Sequence, residues 1–233
     1  MGLDIYVGTL TRYHAGAWKT IVQQTMEAQG VPFKTIRQDT SAEAITDPKV
    51  IEKAVLEWQS QLTEGLKSQA PASAGWAEGM GPPYFTDKPD WDGYGAVLLL
   101  AAYHAIRKPV PASVSEEWQL DAAIAEAKTR RVYRHLLEPE WWLPFTDDLL
   151  FVCPTLSGKQ VQVGSSVHLR DELRELSAAT LGGPDADLAR WRHDGPPDPP
   201  GGDLQHAARF GLAILLAMSG RAIENRLPMV LDY

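Results

Sequence analysis

The sequence predicts an α+β domain, a mixed sheet covered by about six helices. Period-two apolar alternation appears at both ends of the chain and in one internal hairpin, while longer segments carry helical apolar spacing. A regular strand–helix alternation, which would build a parallel βαβ sheet, is absent. The 233 residues, 44% hydrophobic, suffice for one domain over 1–233 whose core needs no disulfide or metal staple.

Leu3, Ile5 and Val7 alternate with Asp4 and Tyr6, which predicts a half-buried strand over residues 2–9. Trp18, Ile21, Val22 and Met26 recur at helical spacing, with Gly30 and Pro32 as the stop. Residues 33–37 read as a second strand. Asp47 as cap and Pro48 at the first helical position open the next helix, whose apolar face includes Ile51, Val55, Trp58 and Leu62. Residues 69–91, rich in Pro, Gly and Ala, read as a long loop, and loops of that length are usually functional or mobile.

Residues 94–106 are almost continuously apolar and predict a helix buried on most of its circumference. Ser113 and Glu116 have capping-box spacing for a helix running toward 128–137, ended by Pro139. Segments 149–153 and 160–164 flank Leu156-Ser157-Gly158-Lys159 and read as a hairpin, with Gly158 free to take a positive φ. Ser165 or Ser166 caps a helix with the face Leu169, Leu173 and Leu176, closed by Gly182-Gly183-Pro184. Residues 182–202 hold too little apolar surface to offset their ordering entropy and read as a second long, mobile loop anchored only at Trp191. Asp203 caps a long helix, apolar all round over 210–218, in which Gly211 and Gly220 allow close backbone approach. Pro228 ends it, and 229–231 supply a last strand.

Several functions are disfavoured. Cys153 is the sole cysteine, so no intrachain disulfide forms, and with a start unlike a secretory signal this points to the cytoplasm. The most apolar run, 210–218, falls short of the ~20 residues a membrane span needs. A net charge of −8 and a pI near 5.2 count against nucleic acid as a partner. Lys128, Arg130, Arg131 and Arg134 read as a solvated helix face.

Signatures of chemistry are equally sparse. No Gly-x-Ser-x-Gly elbow, Walker loop or Gly-x-Gly-x-x-Gly occurs. The segment around Asp90-Trp91-Asp92-Gly93 fails as a calcium loop because Lys88 and Leu99 stand where carboxylates are required. His168 with Asp171 or Glu172 is the best metal-type pair, yet no other ligand lies nearby in sequence, so neither metal nor cofactor is expected. Gly164-Ser165-Ser166 suits an anion at a helix N-terminus or plain capping, and Cys153 suits a buried inert thiol.

Two regions remain. Eight tryptophans, several beside acids as in Asp90-Trp91-Asp92 and Glu138-Pro139-Glu140-Trp141-Trp142, suggest a binding surface, a sugar platform or a cation cage. Thr9, Thr11, Arg12, Tyr13 and His14 crowd the turn after the first strand, where α/β-type domains place ligand groups. The candidate binding residues are therefore Tyr13, His14, Trp91, Asp92, Trp141 and Trp142.

The leading expectation is a binding or interaction protein without catalytic activity, of the inhibitor or immunity type, whose partner is a protein or a polar small molecule. The alternative is a hydrolase on a sugar-like or other polar molecule, with His14, Asp90 and Glu140 as acid–base groups. A third is a small-molecule sensor whose loops at 69–91 and 182–202 close over a ligand. Met-Gly-Leu-Asp-Ile-Tyr-Val-Gly at the start and Leu-Pro-Met-Val-Leu-Asp-Tyr at the end resemble terminal segments of small uncharacterised bacterial proteins. That resemblance implies a bacterial cytosolic origin and assigns no activity or residue role.

Overall fold

Strands from the two ends of the chain lie side by side near the middle of one sheet. The computed structural model describes residues 2–32, 47–66, 75–182 and 187–233, so the strand expected over 33–37 lies outside the described residues. The strands are β1 (Asp4–Val7), β2 (Phe85–Asp87), β3 (Trp141–Leu143), β4 (Phe151–Pro154), β5 (Gln160–Ser165) and β6 (Met229–Asp232), in the order β2-β1-β6-β3-β5-β4. The β3–β5 pairing is parallel and the other four are antiparallel, which makes the sheet mixed. Hairpin β4–β5 turns at Gly158, whose φ of 81° is the left-handed value glycine adopts at little cost.

Alternation along the strands sends side chains into two cores, because successive residues face opposite sides of a sheet. Leu3, Ile5, Val7, Met229, Leu231 and Trp142 pack against α4 (Asp90–Ile106), α7 (Ser166–Thr180) and α9 (Leu204–Asn225). On the opposite face, Trp141, Leu143, Val161, Val163 and Val230 meet Leu10 of α1 (Leu10–His14) and Ile51 and Val55 of α3 (Pro48–Leu66). The molecule is a single mixed α/β fold with helices on both faces of the sheet.

Helix starts follow capping chemistry. Asp47 Oδ1 accepts from Lys49 N at 2.9 Å ahead of Pro48, Ser165 Oγ accepts from the N–H groups of Val167 and His168, and Asp203 caps α9. Helices α4 and α9 cross through paired glycines: a Cβ on Gly211 would lie 2.2 Å from the Gly93 carbonyl oxygen. The backbones therefore touch where any side chain would part them.

The described residues form nine α-helices and one 3-10 turn, more than the six expected. Residues 10–14, read as a polar turn, wind into α1 because Thr9 caps them by accepting from Arg12 N. The helix expected from Ser113 toward 137 is instead a 3-10 turn at Trp118–Leu120, α5 (Ala122–Arg130) and α6 (Arg134–Leu137), with Asp121 as the true cap of α5. Ser113 bridges to Asp203. Within the expected loop 182–202 lies α8 (Leu188–Asp194), held by Trp191 at 3% exposure. The loop 69–91 contains β2. Helix α2 (Ile21–Ala28) completes the set and buries no residue. No helix among the described residues is long and apolar enough to cross a membrane.

Candidate functional site

Helix α1 is too short to hold itself, since one turn closes few hydrogen bonds for the dihedrals it fixes. It is held from outside by residues 76–84. Glu78 accepts from Leu10 N at 3.2 Å and from Thr11 N and Oγ1 at 2.9 Å each, placing a carboxylate against the free N–H groups of the helix start. Thr9 Oγ1 donates to Gly79 O at 2.7 Å. Arg12 donates to the carbonyls of Met80 and Pro82 and lies 5.0 Å from the Tyr84 ring centroid. The described part of the long loop is thus the clamp that positions Tyr13 and His14.

Those two residues separate two adjoining cavities. One, about 380 Å³, is bounded by Tyr13, His14, Trp18, Thr20, Gln23 and Asp232. The second, about 240 Å³, is bounded by Tyr13, His14, Glu140, Trp141, Lys159 and Asp232 among others. The walls are aromatic. Tyr13 stacks on Trp18 at 6.0 Å and meets Trp141 edge-on at 6.1 Å, while His14 lies 6.2 Å from Trp141. Trp58 packs behind Trp141 at 6.4 Å and donates to Pro154 O.

The polar groups come from distant parts of the chain. Tyr13 Oη donates to Asp232 Oδ1 at 2.7 Å, and register places Asp232 directly opposite Asp4 on the neighbouring strand. Burial, reinforced by Asp232 and opposed by Lys88, pushes the Asp4 carboxyl up to about 6. Lys159 Nζ lies 3.4 Å from Glu140 and 5.5 Å from the Tyr233 ring centroid. His14 is the unusual member. Burial pulls its pKa down to about 4, so the ring is neutral near pH 7, and its buried Nε2 has no hydrogen-bond partner among the described residues. A neutral imidazole offers one donor and one acceptor, and here one of the two is unused.

Of the residues singled out from sequence, Tyr13, His14, Trp141 and Glu140 converge on this site. Asp90 does not: it lies at the start of α4 in an ion pair with Lys88 at 3.3 Å. Asp92 accepts from Gly201 N at 2.8 Å and ties down the chain before α9. Trp91 meets Trp118 and Tyr233 in a third cavity, which shares Glu140, Leu231 and Tyr233 with the second but does not reach Tyr13 or His14. Trp142 is fully buried, with Nε1 donating to His135 O at 2.6 Å, and Trp141 is only 5% exposed. Asp232, Lys159, Trp18 and Gln23 were missed. Pairing of the terminal strands was the one signal that could have brought in Asp232.

Comparison of the chain with protein-family models, curated proteins and solved structures found no match.

Among the described residues, His135, Asp148 and His168 bring metal-type donors within 4.8 Å of one another. Their hydrogen bonds serve another purpose. His135 Nδ1 accepts from Ser165 N at 2.9 Å, so Nε2 carries the proton and donates to Asp148 Oδ1 at 2.9 Å. His168 Nε2 faces Thr146 O at 3.0 Å and must also be protonated, because a carbonyl only accepts. A metal at His135 would have to take that proton or break the Ser165 bond. Burial lowers the pKa of His135, and the bond from His135 lowers that of Asp148, so the pair is a neutral imidazole donating to a carboxylate. Glu172, expected beside His168, instead accepts from His135 N and Leu136 N at 3.1 and 2.9 Å and caps α6. Cys153 is buried, which pushes its thiol up to about 11.

Proposed function

We propose that this chain is a binding protein for a polar, hydroxyl-rich small molecule of the sugar type, taken into the cleft around Tyr13, His14 and Asp232. The observation that carries the reading is the buried, neutral His14 with its unpaired Nε2. Leaving such an atom unsatisfied costs roughly 1–3 kcal/mol, and a hydroxyl, which donates and accepts alike, would offset that cost. Aromatic walls with a few convergent polar groups are the usual make-up of a small-molecule cleft.

Binding is preferred to hydrolysis because a histidine with a pKa near 4 is a weak base at neutral pH, and Asp90 lies elsewhere. It is preferred to a protein interface because Trp141 and Trp142 are turned inward and cannot act as exposed anchors.

The test is thermal shift and calorimetry with a panel of mono- and oligosaccharides and polyols, on the wild type and on His14→Phe. We expect saturable binding by the wild type and at least about a tenfold loss in the variant, which removes the ring nitrogens but keeps the shape. His14→Phe should also melt higher, since it deletes an unsatisfied polar atom. A panel without any hit, or equal affinity in both proteins, would overturn the reading.

A further inference from the structure

Away from that cleft, helices α7 and α8 leave between them a groove of about 460 Å³ floored by α9. Four arginines surround it: Arg170 and Arg174, one turn apart on α7, Arg192 on α8 and Arg221 on α9. Glu224 is the sole carboxylate among the described residues of the lining. In a chain of net charge −8, that is a local reversal of sign inside a concavity.

The floor is a stripe of small residues on one face of α9, Ala213, Ala217 and Gly220, beside Leu216, with Leu188 on the α8 wall. Gly220 stands in the body of a 22-residue helix, where glycine costs roughly 0.5–1 kcal/mol relative to alanine. Close packing accounts for Gly211 in the same helix but not for Gly220. A Cβ there would meet nothing within 4 Å, and the space it would enter is the groove.

Three of these guanidiniums, Arg170, Arg192 and Arg221, are positioned but not exhausted. Arg192 is held by the buried Asp87 at 2.6 Å, and Arg221 lies 5.2 Å from the Phe85 ring centroid. Two further carboxylates stand beyond hydrogen-bond length, Asp171 at 3.8 Å from Arg170 and Glu224 at 3.6 Å from Arg221. Arg170 Nε is buried and makes no hydrogen bond among the described residues. Each guanidinium carries five N–H donors in a planar fork that matches phosphate oxygens.

We propose that the α7–α8–α9 groove binds a small organic phosphate, its phosphoryl oxygens among Arg170, Arg174, Arg192 and Arg221 and its apolar part on the Ala213–Leu216–Ala217 floor. A solvated arginine face would give no saturable site. The experiment is calorimetric titration of the full chain with inorganic phosphate and with phenyl phosphate, at ionic strength matched with chloride. Three proteins are compared: wild type, the double variant Arg174→Gln/Arg221→Gln, and Gly220→Met.

We expect one saturable site in the wild type, phenyl phosphate at least as tight as inorganic phosphate, and at least about a tenfold weakening in the double variant. Gly220→Met keeps every charge and replaces glycine by a better helix former, so it should melt as high or higher and still lose the site. Retained binding in Gly220→Met overturns the proposal. So does the absence of any saturable heat, or a response that follows ionic strength alone. Control variant Arg130→Gln, on α5 and paired with Glu126, should bind as the wild type does.

Discussion

At the scale of single residues, buried titratable groups pull stability in opposite directions. Burial pushes Glu172 up to about 7 while three backbone N–H groups of α6 hold it in place. Its folded pKa lies above its unfolded one, so the folded state keeps the extra proton, and this contribution to stability fades as pH rises from about 4.5 to 7. His14 works the other way: its folded pKa near 4 lies below 6.5, so stability falls as pH drops through that window. We expect Glu172→Gln, which cannot ionise, to gain on the wild type by on the order of 2 kcal/mol between pH 5 and 8. Urea melts at the two pH values measure this, and a pH-independent difference between the proteins would refute it. Tyr13 and His14 were legible in the sequence because they crowd one turn after a clear strand. Asp232 was not, because its partnership with Tyr13 depends on strand register across nearly the whole chain.

At the scale of elements, the strong periodic signals were readable and the covered ones were not. Terminal strands, the hairpin and helices α3, α4, α7 and α9 follow alternation, capping residues and apolar stripes. Strand β3 hides because both of its faces are covered, so Trp141, Trp142 and Leu143 are all buried and no alternation survives. Helix α8 hides because it is short and set among Gly, Pro and Asp, and it is held to the rest mainly by Trp191 and Leu188 in the core and by the Arg192–Asp87 ion pair. The crossing of α4 and α9 depends on a contact that no propensity encodes. Gly211→Ala drives a methyl into the Gly93 backbone and should cost about 3 kcal/mol or more by chemical denaturation, even though alanine is the better helix former. Gly220→Ala in the same helix should instead be neutral or stabilising, and similar losses at the two sites would contradict this packing.

At the scale of the whole molecule, β6 is the keystone of the sheet. It joins the β2-β1 pair to the β3-β5-β4 group, and Val230 on it is fully buried between Trp141 and Tyr6 in register. Val230→Asp should abolish the cooperative melt seen by circular dichroism, because a charge buried there has no partner. Val152→Asp on the outer strand β4, where the side chain is 61% exposed, should change stability by less than about 1 kcal/mol. Equal effects at the two positions would show that the sheet does not depend on β6 in this way.

That central place of β6 also governs when the protein can fold. A ribosome releases β1 before β6, and β6 only after every other described element has been made, so until β6 emerges Ile5 and Tyr6 lack the neighbour that covers one edge of their strand. The nascent chain must carry two unjoined pieces of sheet with open edges, the condition in which strands recruit foreign partners. Until β6 emerges, short strands, an acidic net charge and the helices that fold beside the sheet are what guard those edges.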